Sequence, residues 1–190
     1  ERTVISAPVP IDVLSTTDIQ LTGRTETSQI IQAVAPSFNF PRTSIGDGTD
    51  HIRPATLRGL APDQALVLVN GKRRHTSALV NVNGFVGRGS QAVDLNAIPA
   101  SMIDHIEILR DGATAQYGSD AIAGVINIVL KTTSPGMFSG EVGENVTTYN
   151  RDATAQTAFP AKMAERSVHD GHVATSALNY GWGLGHNGFL

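Results

Sequence analysis

Residues 96–131, NAIPASMIDHIEILRDGATAQYGSDAIAGVINIVLK, constrain the fold of this chain more than any other stretch. Pro99 stands in a good first-turn position, an apolar strand is predicted over Ile106 to Leu109, Asp111-Gly112 reads as a turn, and Val125 to Leu130 reads as a second strand. The segment between the strands, Ala113 to Gly124, is mostly Ala, Gly, Ser and Thr, with Tyr117 its largest side chain. Small side chains permit close backbone approach, so this segment is expected to pack tightly against a neighbour.

Four motifs occur in order here: Ile98-Pro99, Ile106-Glu107-Ile108-Leu109-Arg110, Tyr117-Gly118-Ser119-Asp120-Ala121-Ile122-Ala123-Gly124 and Val125-Ile126-Asn127-Ile128. In that order and spacing they resemble the end of the plug domain of TonB-dependent outer-membrane receptors. Asp111-Gly112 stands where many members have Gly-Pro, and both pairs make turns. Pro8-Val9-Pro10-Ile11-Asp12-Val13, the Arg58-Gly59 pair and Val67-Leu68-Val69-Asn70-Gly71 extend the likeness, which runs from about Thr3 to Leu130.

Upstream, Val9 to Leu14 reads as an extended strand, and Thr17 with Gln20 forms a candidate capping box for one helical turn ending at Gly23. A second helix is predicted from Thr25 to Ala35, with Ile30, Ile31 and Val34 on one face and Pro36 as its stop. Phe38 to Pro54 lacks periodicity and reads as a long loop. Ala65 to Asn70 is an apolar strand closed by the hairpin pair Asn70-Gly71. Arg58, bracketed by Leu57, Gly59 and Leu60, is expected to face protein or an enclosed lumen and to need a carboxylate partner. Thr76 to Gln91 is a second long loop, and its Asn81, Asn83, Phe85 and Arg88 are the candidate ligand-binding residues, set against an Asn/Gly-rich loop without a ligand role.

The character changes at Thr132-Thr133-Ser134-Pro135-Gly136, which places a domain boundary between a first domain, 1–133, and a second segment, 137–190. Ser139 to Tyr149 and His172 to Leu184 alternate as strands, with Leu178, Tyr180, Trp182 and Leu184 on one side and Asn179, Gly181 and Gly183 on the other. Such alternation matches the wall of an outer-membrane barrel. Asn187-Gly188 reads as a turn, and a full barrel needs several hundred residues beyond these. The expected fold is therefore an α+β plug domain, a small mixed sheet with short helices and long loops, followed by the first antiparallel strands of a transmembrane β-barrel.

Composition removes several alternatives. A net charge of -3 in 190 residues argues against a nucleic-acid binder with a broad basic face, and the one basic run, Lys72-Arg73-Arg74-His75, reads as a solvated hairpin edge. Cysteine is absent, which removes disulfide and thiol chemistry. The longest apolar run, Ala121 to Leu130, falls short of a membrane-spanning helix. No signal peptide is recognisable at Glu1, so one has been removed or never existed.

Catalytic motifs find no support. Gly87-Arg88-Gly89-Ser90-Gln91-Ala92 matches a dinucleotide fingerprint only loosely, because no helix pattern follows it. Gly71-Lys72 lacks the rest of a phosphate loop, and Ser90 and Ser119 have no base nearby in sequence. His169 and His172 have metal-compatible spacing but read as solvated histidines in a polar turn between strands. No cofactor, metal or catalytic residue is assigned. Glu107 and Arg110 are read as part of an ion-pair network, and the resemblance implies that such plug residues, with Arg58, pair with carboxylates on the inner barrel wall.

The resemblance further implies a gating role: a plug that occludes an outer-membrane barrel until a scarce ligand binds outside and a periplasmic TonB-type energy-coupling protein pulls from below. Iron chelates, cobalamin and oligosaccharides are the ligand classes carried by such receptors. Outer-membrane lipid and the remaining barrel are the other expected partners, and the segment gripped by the coupling protein is not recognisable in Glu1 to Ser6. A soluble periplasmic ligand-binding module is the alternative, and an enzyme the third reading.

Overall fold

The computed structural model describes residues 11–41, 48, 50–82, 87–110, 113–132, 134–149, 166–181, 183–184 and 188–189. Two compact units divide the chain, one of Glu1–Pro135 with Gly181–Leu190 and one of Gly136–Tyr180.

The first unit is built on a mixed sheet of five strands: β1 (Ile11–Leu14), β4 (Ala65–Val69), β5 (Lys72–Arg73), β6 (Ile103–Leu109) and β7 (Gly124–Leu130). Their order across the sheet is β1-β6-β7-β4-β5. β6 pairs antiparallel with β1 and β7, whereas β4 and β7 run parallel with Val67 opposite Ile126. Alternation sends Ile106, Ile108, Ile126, Ile128 and Val67 to one face, where they join Ile30, Ile31, Phe38 and Leu57 in the main core. Each such isoleucine contributes about 1.5–3 kcal/mol by leaving water. Leu66, Leu68 and Val125 point to the other face, against Ala121, with Leu109 and Tyr117 packed alongside.

The small-residue segment forms this second cover. It comprises α3 (Ala113–Tyr117) and a 3-10 turn, Ser119–Ala121, and Gly118 between them takes φ 85°. Tight packing is most evident at Gly124, whose φ is 145° and where a Cβ would lie 2.6 Å from the Leu109 carbonyl oxygen and 2.7 Å from Leu57 Cδ2. The first central strand is longer than Ile106 to Leu109, because Ile103 and His105 also pair with β7 across a register shift. Pro99 stands just ahead of a 3-10 turn, Ala100–Met102, and Asp111-Gly112 lies outside the described residues.

Two helices precede the sheet's inner strands. α1 (Thr16–Leu21) is capped two residues earlier than the Thr17/Gln20 pair predicts: Ser15 is the N-cap and Asp18 completes the box. Ser15 supplies an extended φ/ψ and a hydroxyl that accepts from the Asp18 N–H, which Thr17, already in the helix, cannot do. Hydrogen bonds from Ser15 hold the Asp18 carboxyl below its ordinary pKa. α2 (Thr27–Val34) buries Ile30 and Ile31 as its periodicity predicts. Its start lacks a side-chain cap and is instead held by the principal stretch: Thr27 Oγ1 donates to the Ile98 carbonyl (2.8 Å) and Ser28 N–H donates to Asn96 Oδ1 (3.2 Å).

Of the predicted loop from Phe38 to Pro54, the first two residues form β2 (Phe38–Asn39), paired with β3 (Thr56–Leu57). The predicted Asn70-Gly71 hairpin joins β4 to β5, with φ values of 51° and 75° that suit a tight two-residue turn.

In the second unit, β8 (Ser134–Tyr149) and β9 (Arg166–Gly181) form a long antiparallel pair. Val142 and Leu178 are 87% and 78% exposed, so its apolar side chains have no core of their own. The Tyr180 ring lies over Gly136, where a Cβ would come within 2.9 Å of it. β9 ends before Leu184, and a separate short pair follows, β10 (Gly183–Leu184) with β11 (Gly188–Phe189). Trp182 and Asn187 lie outside the described residues. No helix among the described residues is long and apolar enough to cross a membrane, which leaves crossing by strands unaddressed.

Candidate functional site

The sequence motifs converge at one end of the sheet. Asn127, a polar residue inside an apolar strand, donates through Nδ2 to Glu107 Oε2 at 2.7 Å and accepts from the Gly71 N–H at 3.0 Å. Glu107 and Asn127 are direct cross-strand partners, so their meeting follows from register. Asn70 completes the clamp: its N–H donates to the Ile128 carbonyl at 2.9 Å and its Oδ1 accepts from the Leu130 N–H at 2.8 Å. Three separate signatures, Asn70-Gly71, Glu107 and Asn127, are thus parts of one hydrogen-bonded device that fixes the hairpin turn onto β7. His105 extends it, with Nδ1 2.7 Å from Asp104 Oδ2 and Nε2 3.6 Å from Glu107 Oε1.

Arg110 has its carboxylate within the chain. Asp12 on β1 pairs with it, reaching diagonally from the position opposite Ile108. Glu107 does not serve Arg110, because residues three apart on a strand face opposite ways. Arg58 is exposed and takes φ 57°, followed by Gly59 at φ 73°, and the Leu60 N–H closes the turn on the Leu57 carbonyl at 3.1 Å. The Arg-Gly pair therefore has a backbone reason, a left-handed turn directly after the fully buried Leu57, and the arginine is exposed rather than buried.

Of the loop candidates, Asn81 is 1% exposed and sits in the neck. Its N–H donates to the Ser90 carbonyl at 2.9 Å, its carbonyl accepts from Gly89 N–H at 2.6 Å, and its Nδ2 donates to Ser90 Oγ at 3.3 Å. Val80 bridges Gln91 beside it. Arg88 is exposed beyond the neck, while Asn83 and Phe85 lie outside the described residues. The structure thus separates a structural residue, Asn81, from the outward-facing Arg88.

The basic run divides as well. Arg73 pairs with Asp120 of the small-residue segment, and that hydrogen bond, with a second from Ser119, holds the Asp120 carboxyl below its ordinary pKa. A lowered folded pKa means the pair's stabilisation is complete above the ordinary carboxylate range and lost as pH falls through the folded value. Arg73→Ala is expected to return the Asp120 pKa toward 3.8, read by carboxyl-carbon NMR titration. An unchanged titration would mean that Arg73 does not hold this carboxylate.

His169 and His172 are not in a turn between strands, as their polar surroundings in sequence predict, but within β9. Gly171 between them takes φ 62°, which breaks the alternation and lets both approach Glu144, at 3.2 Å and 3.6 Å. Among the described residues, no group of three or more His, Asp or Glu is arranged to hold a metal ion.

A small mixed sheet, covered on one side by short helices and on the other by a glycine-punctuated segment, with its motif residues spent on turns and ion pairs, defines a plug-type α+β domain. The family model described as TonB-dependent Receptor Plug Domain matches residues 3–125, and the chain belongs to that family. It is 31% identical over 138 residues to the ferric enterobactin receptor of Pseudomonas aeruginosa, covering 73% of this chain and 17% of that protein. It is 32% identical over 121 residues to a vitamin B12 transporter of Vibrio cholerae, covering 62% and 18%. Among solved structures, the Pseudomonas aeruginosa ferric enterobactin receptor in complex with enterobactin matches with TM-score 0.52 and 28% identity, over 77% of this chain and 20% of that one. An unliganded ferric citrate transporter shares the fold over 96% of this chain and 24% of its own, with TM-score 0.63 and 20% identity. The chain spans less than a fifth of the length of these curated relatives.

Proposed function

We propose that this chain is the plug and first barrel hairpin of an outer-membrane receptor that gates energy-coupled uptake of a scarce ligand. The observation that carries the reading is the family match over residues 3–125, which takes in the sheet unit as far as the start of β7. Residues 1–133 form the plug within the lumen. Residues 137–190 begin the barrel, where the exposed apolar side chains of β8 and β9 meet outer-membrane lipid. A TonB-type protein in the periplasm supplies the pull. The ligand is an iron chelate, cobalamin or an oligosaccharide, the first two being what relatives are named for. The relatives are named as receptors and transporters, and this reading makes the chain a transport component rather than an enzyme.

Exposed Arg58 and partly exposed Glu107, which also accepts from Asn127, are the contacts to the barrel wall in this reading, whereas Arg110 braces β6 to β1 through Asp12. Arg88 is the described loop side chain best placed for ligand, with Asn83 and Phe85 as its neighbours in sequence and Asn81 as the support of the loop.

The test is deletion of residues 11–132 from the full-length receptor at matched surface abundance. Loss of energised uptake together with increased entry of a bulky antibiotic is the expected result, because an emptied lumen conducts passively. Unchanged permeability, or release of the intact protein from cells without detergent, would replace this reading with the soluble binding module.

A further inference from the structure

We propose that the cleft beside the β4–β5 hairpin is a carboxylate-binding site anchored by Arg74. The cleft, about 770 Å³, is lined by residues of β4, of the basic run and of the neck of the Thr76–Gln91 loop. Arg73 is committed to Asp120. Arg74 is placed differently: its N–H is fixed to the Val67 carbonyl at 2.9 Å, the residue is half-buried, and its guanidinium has no partner among the described residues. A guanidinium does not lose its proton in a protein, so partial burial is offset only by an anion or by retained water.

The surroundings favour the anion. His75, the Thr76 hydroxyl and the Gln91 amide, all of exposed residues, line the same cleft, and each can donate to an oxygen anion. Leu66, Val67 and Val93 add apolar wall for the body of a ligand. Asp63 on the same wall decides the class, since the Asp120 charge is balanced by Arg73. It disfavours a dianion such as phosphate more than a single charge, and one planar carboxylate fits the arginine fork with two parallel hydrogen bonds. Such a carboxylate comes either from a free small molecule or from an acidic side chain of the rest of the receptor, and the second source rests on the plug reading above.

The experiment uses the full-length receptor in detergent with benzoate as probe, followed by equilibrium dialysis, and compares wild type, Arg74→Ala, Arg74→Lys and the exposed-arginine control Arg24→Ala. With a free carboxylate as occupant, wild type and Arg24→Ala bind benzoate equally, and Arg74→Ala weakens binding by about tenfold or more. Arg74→Lys also weakens it, because an ammonium lacks the fork. With a side chain as occupant, benzoate does not bind wild type, and Arg74→Ala, unlike Arg24→Ala, raises antibiotic entry in cells at matched surface abundance. The site is overturned if both Arg74 variants match Arg24→Ala in dialysis and in permeability. Failure of the plug reading shows separately, as a residue 11–132 deletion that opens no pore, and leaves the dialysis comparison intact.

Discussion

Gly124→Ala is expected to destabilise the sheet unit by about 2–6 kcal/mol, from backbone strain and overpacking of about 1–3 kcal/mol each. The strain arises because φ 145° is a conformation that L side chains rarely adopt. The overpacking arises because the new methyl would meet the Leu109 carbonyl, which is held in the β6–β7 ladder, and Leu57 in the main core. Neither neighbour can retreat without breaking pairing or packing. Gly118 makes the comparison: its φ is 85°, but a Cβ there meets nothing within 4 Å, so Gly118→Ala carries the strain alone, about 1–3 kcal/mol. Urea unfolding of residues 1–135 and both variants measures the difference. Equal midpoints for the two substitutions would show that the close approach at Gly124 is absent in solution.

Ile126→Ala is the second large effect, expected at about 2–5 kcal/mol. Ile126 is fully buried at the middle of the sheet, opposite Ile108 on β6 and Val67 on β4, so truncation leaves a cavity bounded by two ladders that cannot close around it. Ile122 lies four residues earlier in the same apolar run but is 51% exposed, and Ile122→Ala is expected to fall within about 0.5 kcal/mol of wild type. The same denaturation series tests both. A cost at Ile122 equal to that at Ile126 would mean that the exposed residue has a packing partner in solution.

This contrast also marks how far the sequence could be read. Ile30, Ile31, the apolar β4 run and the Asn70-Gly71 turn were legible because each signal is local: a period, a β-branched run, a residue pair with positive φ. Ordered motifs identified the fold class for a different reason, since their spacing is long and specific. Pairing between distant residues was not legible. Asp12 finds Arg110 only through the β1–β6 register, and Asp120 finds Arg73 only because the small-residue segment folds back over the sheet. Asn127 was the one available hint, a polar side chain in an apolar strand that requires a partner, though nothing in the chain's order named Gly71 and Glu107 as that partner. The error at α1 was a two-residue shift of the cap, Ser15 and Thr17 both being of a type that caps helices. His169 and His172 were misplaced because Gly171 reads as a turn signal, whereas it takes its positive φ within a strand.

The strand order β1-β6-β7-β4-β5 has a kinetic consequence. The last strand of this sheet to be made, β7, lies between β6 and β4 and, among the described strands, alone joins the β1–β6 pair to the β4–β5 pair. Two-stranded pieces are marginal in water, so neither half persists alone while synthesis proceeds. Collapse waits for β7, and its transition state must close loops spanning most of the unit, which makes folding slow and all-or-none rather than stepwise. A growing chain of this design holds no stable sheet until that final strand is available.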